Sequence, residues 1–535
     1  MVFRIPKQAF GKVRSVDGSS ILAKAEILQT SNPDLNVEVG AFVNCGGMHG
    51  DTICSINRVT IDENKANEEI KLVELSVVGS IDVYGEFSRG VEQLPTIACD
   101  VYLLNGEQVN RIMGIDSHNK KFFKVGKRSI SGAGDVYIDL DKMLGRHTAI
   151  LGTTGSGKSS TVSTILQSIL RDYPYPRVLV FDIHNEYTHA FEGEPWIEKV
   201  NSIKWEDFSL PYWFFDLEEF ISIYYPSAGS TQKMVIKTFI EDLKRAQVPE
   251  EEKGKISVDS PVFFNINDLI LKVKKREEAE TTQSKKDPWN KLLLKINSIN
   301  EDTRYSFLRR DIDIEISLAA YFDKMLGLME TNPTYITLLD LSGLPAEVRS
   351  VCVGILSRLC FDFRYWDMDP ENLPLALVLE EAHSYIPEES SSDYTLCLQR
   401  IEKVAKEGRK YGLSLVVVTQ RPSNVSPTVL SQCGTFIVLR LTSDIDQNKV
   451  KRILPDTIGS QSNIFPSLRD REALVTGDAV LLPGKVLFDQ PSPWPRSNDV
   501  QFHKAWSGGI PKGYDTSEII KGWIQRRKVN GYETK

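Results

Sequence analysis

The sequence predicts an α/β protein whose main domain is a parallel sheet with crossover helices, and three observations point there. An apolar run at 147–151 leads into Gly152-Thr-Thr-Gly-Ser-Gly157-Lys158-Ser159, and an amphipathic helix over 159–170 follows. Largely apolar runs at 177–182, 335–340 and 375–379 end at or just before an acid. That is the pattern of a buried parallel strand delivering a polar group at its carboxyl end. Helical stretches at 345–366 and 396–411 alternate with these runs and with another apolar strand at 413–419, and a further strand follows at 436–441.

At 535 residues the chain exceeds one ordinary core and should divide into two to four domains. Ahead of the sheet, short β-type runs at 10–16, 38–45, 51–61, 72–81 and 96–104 are broken by Gly, Asn and Asp. Their spacing, without a helical period, suggests a small closed β-barrel over 1–105. Residues 106–134 read as a connector, since Gly126 to Gly134 is glycine-rich enough for a domain boundary. The sheet then occupies 135–190 and 331–490, interrupted by a mainly helical insertion at 191–330. A C-terminal extension at 491–535 carries Pro491, Pro493 and Pro495 and looks extended, in a position to lie across a neighbouring subunit.

Composition excludes several classes. An apolar fraction of 41% and a charged fraction of 25% are those of a soluble globular protein, and no apolar run is long enough to span a bilayer. The N-terminus lacks a signal-peptide core, so the expected compartment is the cytoplasm, with no membrane association. The seven cysteines have no metal-ligand spacing and read as free thiols of a reducing compartment. A net charge of −8 means that any contact with nucleic acid must come from a local patch or a channel lining. The densest basic cluster is Lys272, Lys274, Lys275 and Arg276 with Lys285 and Lys286. Its ordinary reading is a solvated helix face, with DNA contact as the sharper alternative.

The motif at 152–159 is a complete P-loop. Its glycines let successive backbone N–H groups and a helix N-terminus converge on phosphate oxygens. Gly152, Thr154, Gly155, Ser156, Gly157, Lys158, Ser159 and Ser160 would surround the phosphates of ATP. Lys158 would reach the β/γ-phosphates, and the Ser159 hydroxyl would bind Mg²⁺. The apolar strand ending in Glu380-Glu381 is a Walker B arrangement, with Glu380 assigned to the metal and Glu381 to polarising the attacking water. Gln420, at the tip of the next strand, can sense the γ-phosphate. Asp182 and Glu186, in the run Phe181-Asp-Ile-His-Asn-Glu-Tyr187, read as an active-site edge. His383 reads as a link from the metal site to the sensor strand or as a hydrogen-bonded core histidine.

The order of these motifs, through Lys406-Glu-Gly-Arg-Lys-Tyr-Gly412 and Thr419-Gln-Arg-Pro-Ser423, resembles the HerA family of hexameric DNA-translocating ATPases, in the HerA/FtsK branch of P-loop motors. The resemblance covers roughly residues 8–490 and thins in the insertion. It implies a RecA-like core capped by the barrel, a homohexamer, double-stranded DNA as the track, and Glu381 as catalytic base. It places Arg409 where the family supplies an arginine finger into the neighbour's site, with Arg421 and Arg440 as rivals and a helix-terminal dipole contact as the plain alternative. It also implies a nuclease or effector partner, NurA-like, sirtuin-like or another nuclease, in DNA end processing or antiphage defence. The chain itself carries no nuclease signature.

A second reading has the ring scaffold and gate an effector without travelling along DNA. A small-molecule kinase is disfavoured, because the acid pair points to water as acceptor and a barrel has no use there.

Overall fold

A computed structural model of the chain describes residues 9–524 apart from 19, 27–35, 48–49, 64–68, 83, 85–86, 91–93, 113–119, 130–133, 310–316, 389–394, 455, 497–501, 509 and 511–513. The N-terminal strands are β1 (Gly11–Asp17), β2 (Ser20–Ala25), β3 (Phe42–Gly47), β4 (Gly50–Glu63), β5 (Glu69–Ile81), β6 (Phe87–Arg89) and β7 (Asp100–Leu103). They pair in the order β2-β1-β7-β3-β4-β5-β6, and an added β2–β5 pairing closes six of them into a barrel with β6 on its rim. The barrel core is Val13, Ile21, Val43, Ile56, Val73, Leu75 and Val101, the inward set of alternating strands. Residues 1–8, at the start of the expected barrel range, lie outside the described residues.

Helix α1 (Gly106–Ile112) leads to strands β8 (Phe122–Arg128) and β9 (Asp135–Asp139), then α2 (Leu140–Gly145), β10 (Thr148–Leu151), α3 (Lys158–Asp172), β11 (Val178–Asp182) and β12 (Val200–Ile203). Helices α4 (Leu217–Tyr224), α5 (Ser230–Arg245), α6 (Glu250–Lys253), α7 (Ile266–Glu278), α8 (Gln283–Glu301) and α9 (Leu318–Leu326) come next. Then follow β13 (Ile336–Asp340), α10 (Ala346–Trp366), β14 (Leu375–Leu379), α11 (Thr395–Glu407), β15 (Leu413–Thr419), α12 (Pro427–Ser431), β16 (Thr435–Val438), α13 (Asp444–Ile453), β17 (Glu472–Gly477) and β18 (Gly484–Phe488). Helices α14 (Phe502–Gly508) and α15 (Thr516–Ile524) end the described chain.

The core is an 11-stranded sheet, ordered β12-β13-β11-β14-β15-β10-β16-β17-β18-β8-β9. The seven strands from β12 to β16 are parallel, and their residues are buried on alternate faces. Leu179 and Phe181 pack with α10 and α11, while Val178 and Val180 pack with α3. This is the P-loop NTPase core that the sequence predicts.

The sheet is larger and less uniform than a parallel sheet alone. Strands β17, β18, β8 and β9 extend it antiparallel, so residues 122–128 of the expected connector belong to the core sheet. Gly126 sits there for close packing rather than for flexibility: a Cβ at this position would lie 2.2 Å from the Leu487 carbonyl oxygen across the β8–β18 pair. Of the glycine-rich end, 130–133 lie outside the described residues.

The insertion also contributes to the sheet, because β12 is its edge strand. Its helices share one core with the sheet through Ile236, Leu269, Trp289, Leu292 and Ile296. A buried ion pair, Arg358 to Glu219 at 2.6 Å, locks α4 to α10, and Arg400 on α11 joins it through Asp216. In the basic cluster, Lys272 pairs with Asp242 at 3.1 Å, Arg276 with Glu280 at 2.8 Å and Lys286 with Glu277 at 3.8 Å, as a solvated helix face would. Among the described residues, no helix is long and apolar enough to cross a membrane.

Candidate nucleotide site

The turn after β10 is held from three sides. Gly152 N–H donates to the Thr419 carbonyl at 3.2 Å, Thr153 N–H to the Arg440 carbonyl at 2.9 Å, and Arg471 N–H to the Ser156 carbonyl at 3.1 Å. Arg440 Nη2 donates to the Gly155 carbonyl at 2.6 Å. Gly157 has φ +87°, and a Cβ there would lie 2.7 Å from Arg471 N, so both conformation and space require glycine. The result is a tight loop whose amides lead into α3, with a cleft of about 450 Å³ above it.

That cleft collects the expected residues. Thr154, Gly155, Gly157, Lys158, Ser159, Ser160, Glu380, Glu381 and Gln420 line it, together with His184, Glu186, Asp470, Trp494 and Arg496. Gly152 and Ser156 sit beneath the loop, where the buried Ser156 hydroxyl makes no hydrogen bond. Ser159 Oγ donates to the Glu186 carboxylate, so Glu186, read from sequence as part of an active-site edge, reaches the hydroxyl expected to bind metal. Asp182 supports it from below, accepting backbone N–H bonds from His184 at 3.3 Å, Glu186 at 3.1 Å and Tyr187 at 3.0 Å. Burial nevertheless pushes the Asp182 carboxyl up to about 6.

The acid pair is split by its surroundings. Glu380 is buried and accepts the Tyr187 hydroxyl; burial, then the charges of Glu381 and Glu186, push it up to about 8. Glu381 moves the other way. Burial pulls it upward, but the His383 hydrogen bond and the Lys158 charge outweigh this and hold it below its ordinary value. Its backbone φ of +47° is in the left-handed region, a strain of about 1–3 kcal/mol of the kind found at functional sites.

Glu381 Oε2 lies 3.2 Å from His383 Nδ1 and accepts the Gln420 N–H at 3.4 Å. The Gln420 side chain accepts the Thr154 hydroxyl, so one residue joins the P-loop to the second acid. His383 also reaches Thr419 Oγ1 at 3.0 Å, which ties the acid pair to the sensor strand. The two neighbouring carboxyls are thus pushed in opposite directions by their surroundings.

The three arginines separate by position. Arg440 and Arg421 are on the P-loop side, Arg440 bonded to the loop itself and Arg421 directly after Gln420. Arg409 lies before β15, at the opposite end of the sheet, in an open cleft of about 650 Å³ with Arg146, His147, Lys406 and Lys410. The seven residues of β15 separate it from Gln420, roughly 23 Å at about 3.3 Å per residue. Beneath Arg409, His147 Nδ1 accepts Leu415 N–H at 2.9 Å and Nε2 lies 2.9 Å from the Ala405 carbonyl, and burial, then Arg409's charge, push this imidazole down.

Residues 123–360 match the family described as "Helicase HerA, central domain". The DNA double-strand break repair helicase HerA of Pyrococcus furiosus is 25% identical over 511 residues, 85% of this chain and 88% of that protein. The chain is thus similar to HerA helicases over most of its length, and its residues 123–360 match their central domain.

A probable DNA double-strand break repair helicase HerA of Methanocaldococcus jannaschii is likewise 25% identical over 88% of this chain and 95% of its own length. VirB4 of Thermoanaerobacter pseudethanolicus aligns with 70% of this chain and 97% of its own, at 16% identity and a TM-score of 0.49. The match to a helicase HerA central domain and the geometry of the P-loop make the protein an ATPase, and the donor set suits its substrate. A glycine loop and Lys158 line the place for the phosphates, and Ser159 with nearby carboxylates would hold Mg²⁺. Magnesium in such sites is bound by one or two protein groups together with phosphate oxygens and water. When bound, it would neutralise charge on the phosphate chain.

Residues 491–496 lie against the chain's own α3 and the loop after β11, with Arg496 N–H donating to the Glu186 carbonyl at 2.9 Å. Trp494, Arg496 and Asp470 reached the cleft unannounced, since no local pattern places a distant segment over a P-loop.

Proposed function

We propose that this protein is an ATP-driven double-stranded DNA translocase that works as a homohexamer, with each ATP split between two protomers. Lys158 and the P-loop amides bind the triphosphate, and Glu381 accepts a proton from the attacking water. Gln420 registers the γ-phosphate through its contacts with Thr154 and Glu381. Arg409 enters from the adjoining protomer to neutralise charge on the transferring phosphoryl group.

The observation that supports this reading is the separation of Arg409 from its own P-loop by the full length of β15, too far to reach phosphates bound there. The HerA relatives, named as DNA repair helicases, support DNA as the track. A NurA-like, sirtuin-like or other nuclease would supply cutting, in end processing or antiphage defence.

The test is ATP turnover with and without linear duplex DNA, with mass photometry for ring size and a strand-tracking assay on Lys158→Ala and Glu381→Gln variants. DNA-stimulated turnover by a six-membered ring, and loss of movement in both variants, are expected. A monomer whose turnover ignores DNA would overturn the motor. Effector activity that survives both substitutions would favour a ring that only scaffolds its partner.

A further inference from the structure

Beyond β18 the chain turns back across its own phosphate-binding helix. Thr164 Oγ1 donates to the Asp489 carbonyl at 2.8 Å, Gln167 Oε1 accepts Ser492 N–H at 2.9 Å, and Gln167 Nε2 donates to the Pro493 carbonyl at 3.3 Å. From the loop after β11, Trp196 Nε1 donates to the Ser492 carbonyl at 2.8 Å and His189 Nδ1 lies 2.7 Å from the Trp494 carbonyl. With Arg496 bonded to Glu186, residues 489–496 are tied down along their length.

Two side chains of this segment face the cleft, and each supplies something it otherwise lacks. Four carboxyl side chains line it, Glu186, Glu380, Glu381 and Asp470, whereas among the described lining residues the only lysine or arginine besides Lys158 is Arg496. A polyanionic ligand in such surroundings needs a second cation. Trp494 is the one large ring in the lining. The Arg471 guanidinium lies 5.5 Å from its centroid, and 36% of the residue remains exposed. An indole so fixed offers a flat apolar surface at small entropic cost. Arg471 is in turn bonded to the P-loop at Ser156, which places the ring at the rim of the phosphate cradle.

We propose that residues 489–496 form a strap that completes the nucleotide site within one protomer, with Trp494 as the surface on which the base stacks and Arg496 as a second cation for the phosphate chain. This rests on the reading of the cleft as the ATP site.

The test is ATP affinity, by competition titration, of the full chain and of Trp494→Ala, Trp494→Leu, Trp494→Phe, Arg496→Ala and Arg496→Lys, with melting temperatures as the folding control. Trp494→Ala and Trp494→Leu are expected to bind ATP about tenfold or more weakly, as for a lost base–aromatic stack, and Trp494→Phe to stay within about threefold. Arg496→Ala is expected to weaken binding by about tenfold, with Arg496→Lys recovering part of it. Full affinity in Trp494→Leu would mean that the ring only packs, and full affinity in Arg496→Ala would remove the second cation; either result overturns the strap. If the unmodified chain binds no ATP, the reading of the cleft fails together with the strap. If it binds and the variants bind equally well, only the strap fails.

Discussion

The two ends of the central sheet are built for opposite purposes. At the carboxyl end the strands deliver a glycine-bound loop, Lys158, Ser159 and the carboxylates Glu186, Glu380 and Glu381 around one cleft. At the amino end the cleft beside β15 gathers Arg146, Lys406, Arg409 and Lys410, with no phosphate-cradling loop. One end can hold a triphosphate but is crowded with acid; the other gathers basic side chains, of which Arg146 pairs with Asp478 and Lys406 with Glu402. Under the proposed function, the amino end of one copy would bring Arg409 to the carboxyl end of the next.

The largest expected effect comes from breaking one half at a time. Arg409→Ala should lower ATP turnover by about 10³-fold or more while leaving ATP affinity nearly unchanged, because the guanidinium acts on charge that develops in transfer. Glu381→Gln should lower turnover by about 10²–10⁴-fold and likewise retain binding. Equal loss of binding and turnover in Arg409→Ala, measured by titration beside a steady-state assay, would place Arg409 in the fold rather than at a site.

A smaller effect is expected at the residue that joins the P-loop to the second acid. Gln420→Ala should cut turnover by about 10²-fold, as for the loss of one positioned transition-state donor, with little change in melting temperature. Unchanged turnover would remove Gln420 from the sensing role.

The smallest effect sharpens the contrast between the paired acids. Glu380, ordinarily near 4.5, is pushed up to about 8 in the folded chain. Between those values the folded chain holds a proton that the unfolded chain has released, so this group lowers stability progressively as pH rises from about 4.5 to 8. Glu380→Gln removes that cost. In the absence of nucleotide, its melting temperature relative to the unsubstituted chain should therefore climb across the same window. A difference that stays flat with pH would mean that Glu380 is ionised throughout.

Much of this architecture could be read from residues alone, and what could not has a common cause. The parallel strands β10, β11, β13, β14 and β15 announce themselves because burial on both faces leaves continuous apolar runs. The P-loop carries its own punctuation. Strand β2, reading Ser-Ile-Leu-Ala-Lys-Ala, hides because alanine gives its inward face little β character. Strand β8 hides behind Gly126, whose lack of a side chain reads as flexibility along the chain but answers a contact with Leu487 across the sheet. Glu186 was visible as an acid after a strand, yet its reach to Ser159 depends on three N–H bonds to Asp182 that have no sequence period. The strap is the extreme case, since side chains more than 300 residues earlier hold it through backbone carbonyls.

Sharing of one reaction between two chains is most directly tested by mixing. Glu381→Gln and Arg409→Ala protomers, each inactive alone, are combined under conditions where mixed rings form, and ATP turnover is followed against their ratio. The account expects activity to reappear in mixtures and to peak at intermediate ratios, where an intact Glu381 faces an intact Arg409 across an interface. Mixed rings of folded subunits that stay inactive at every ratio would contradict it.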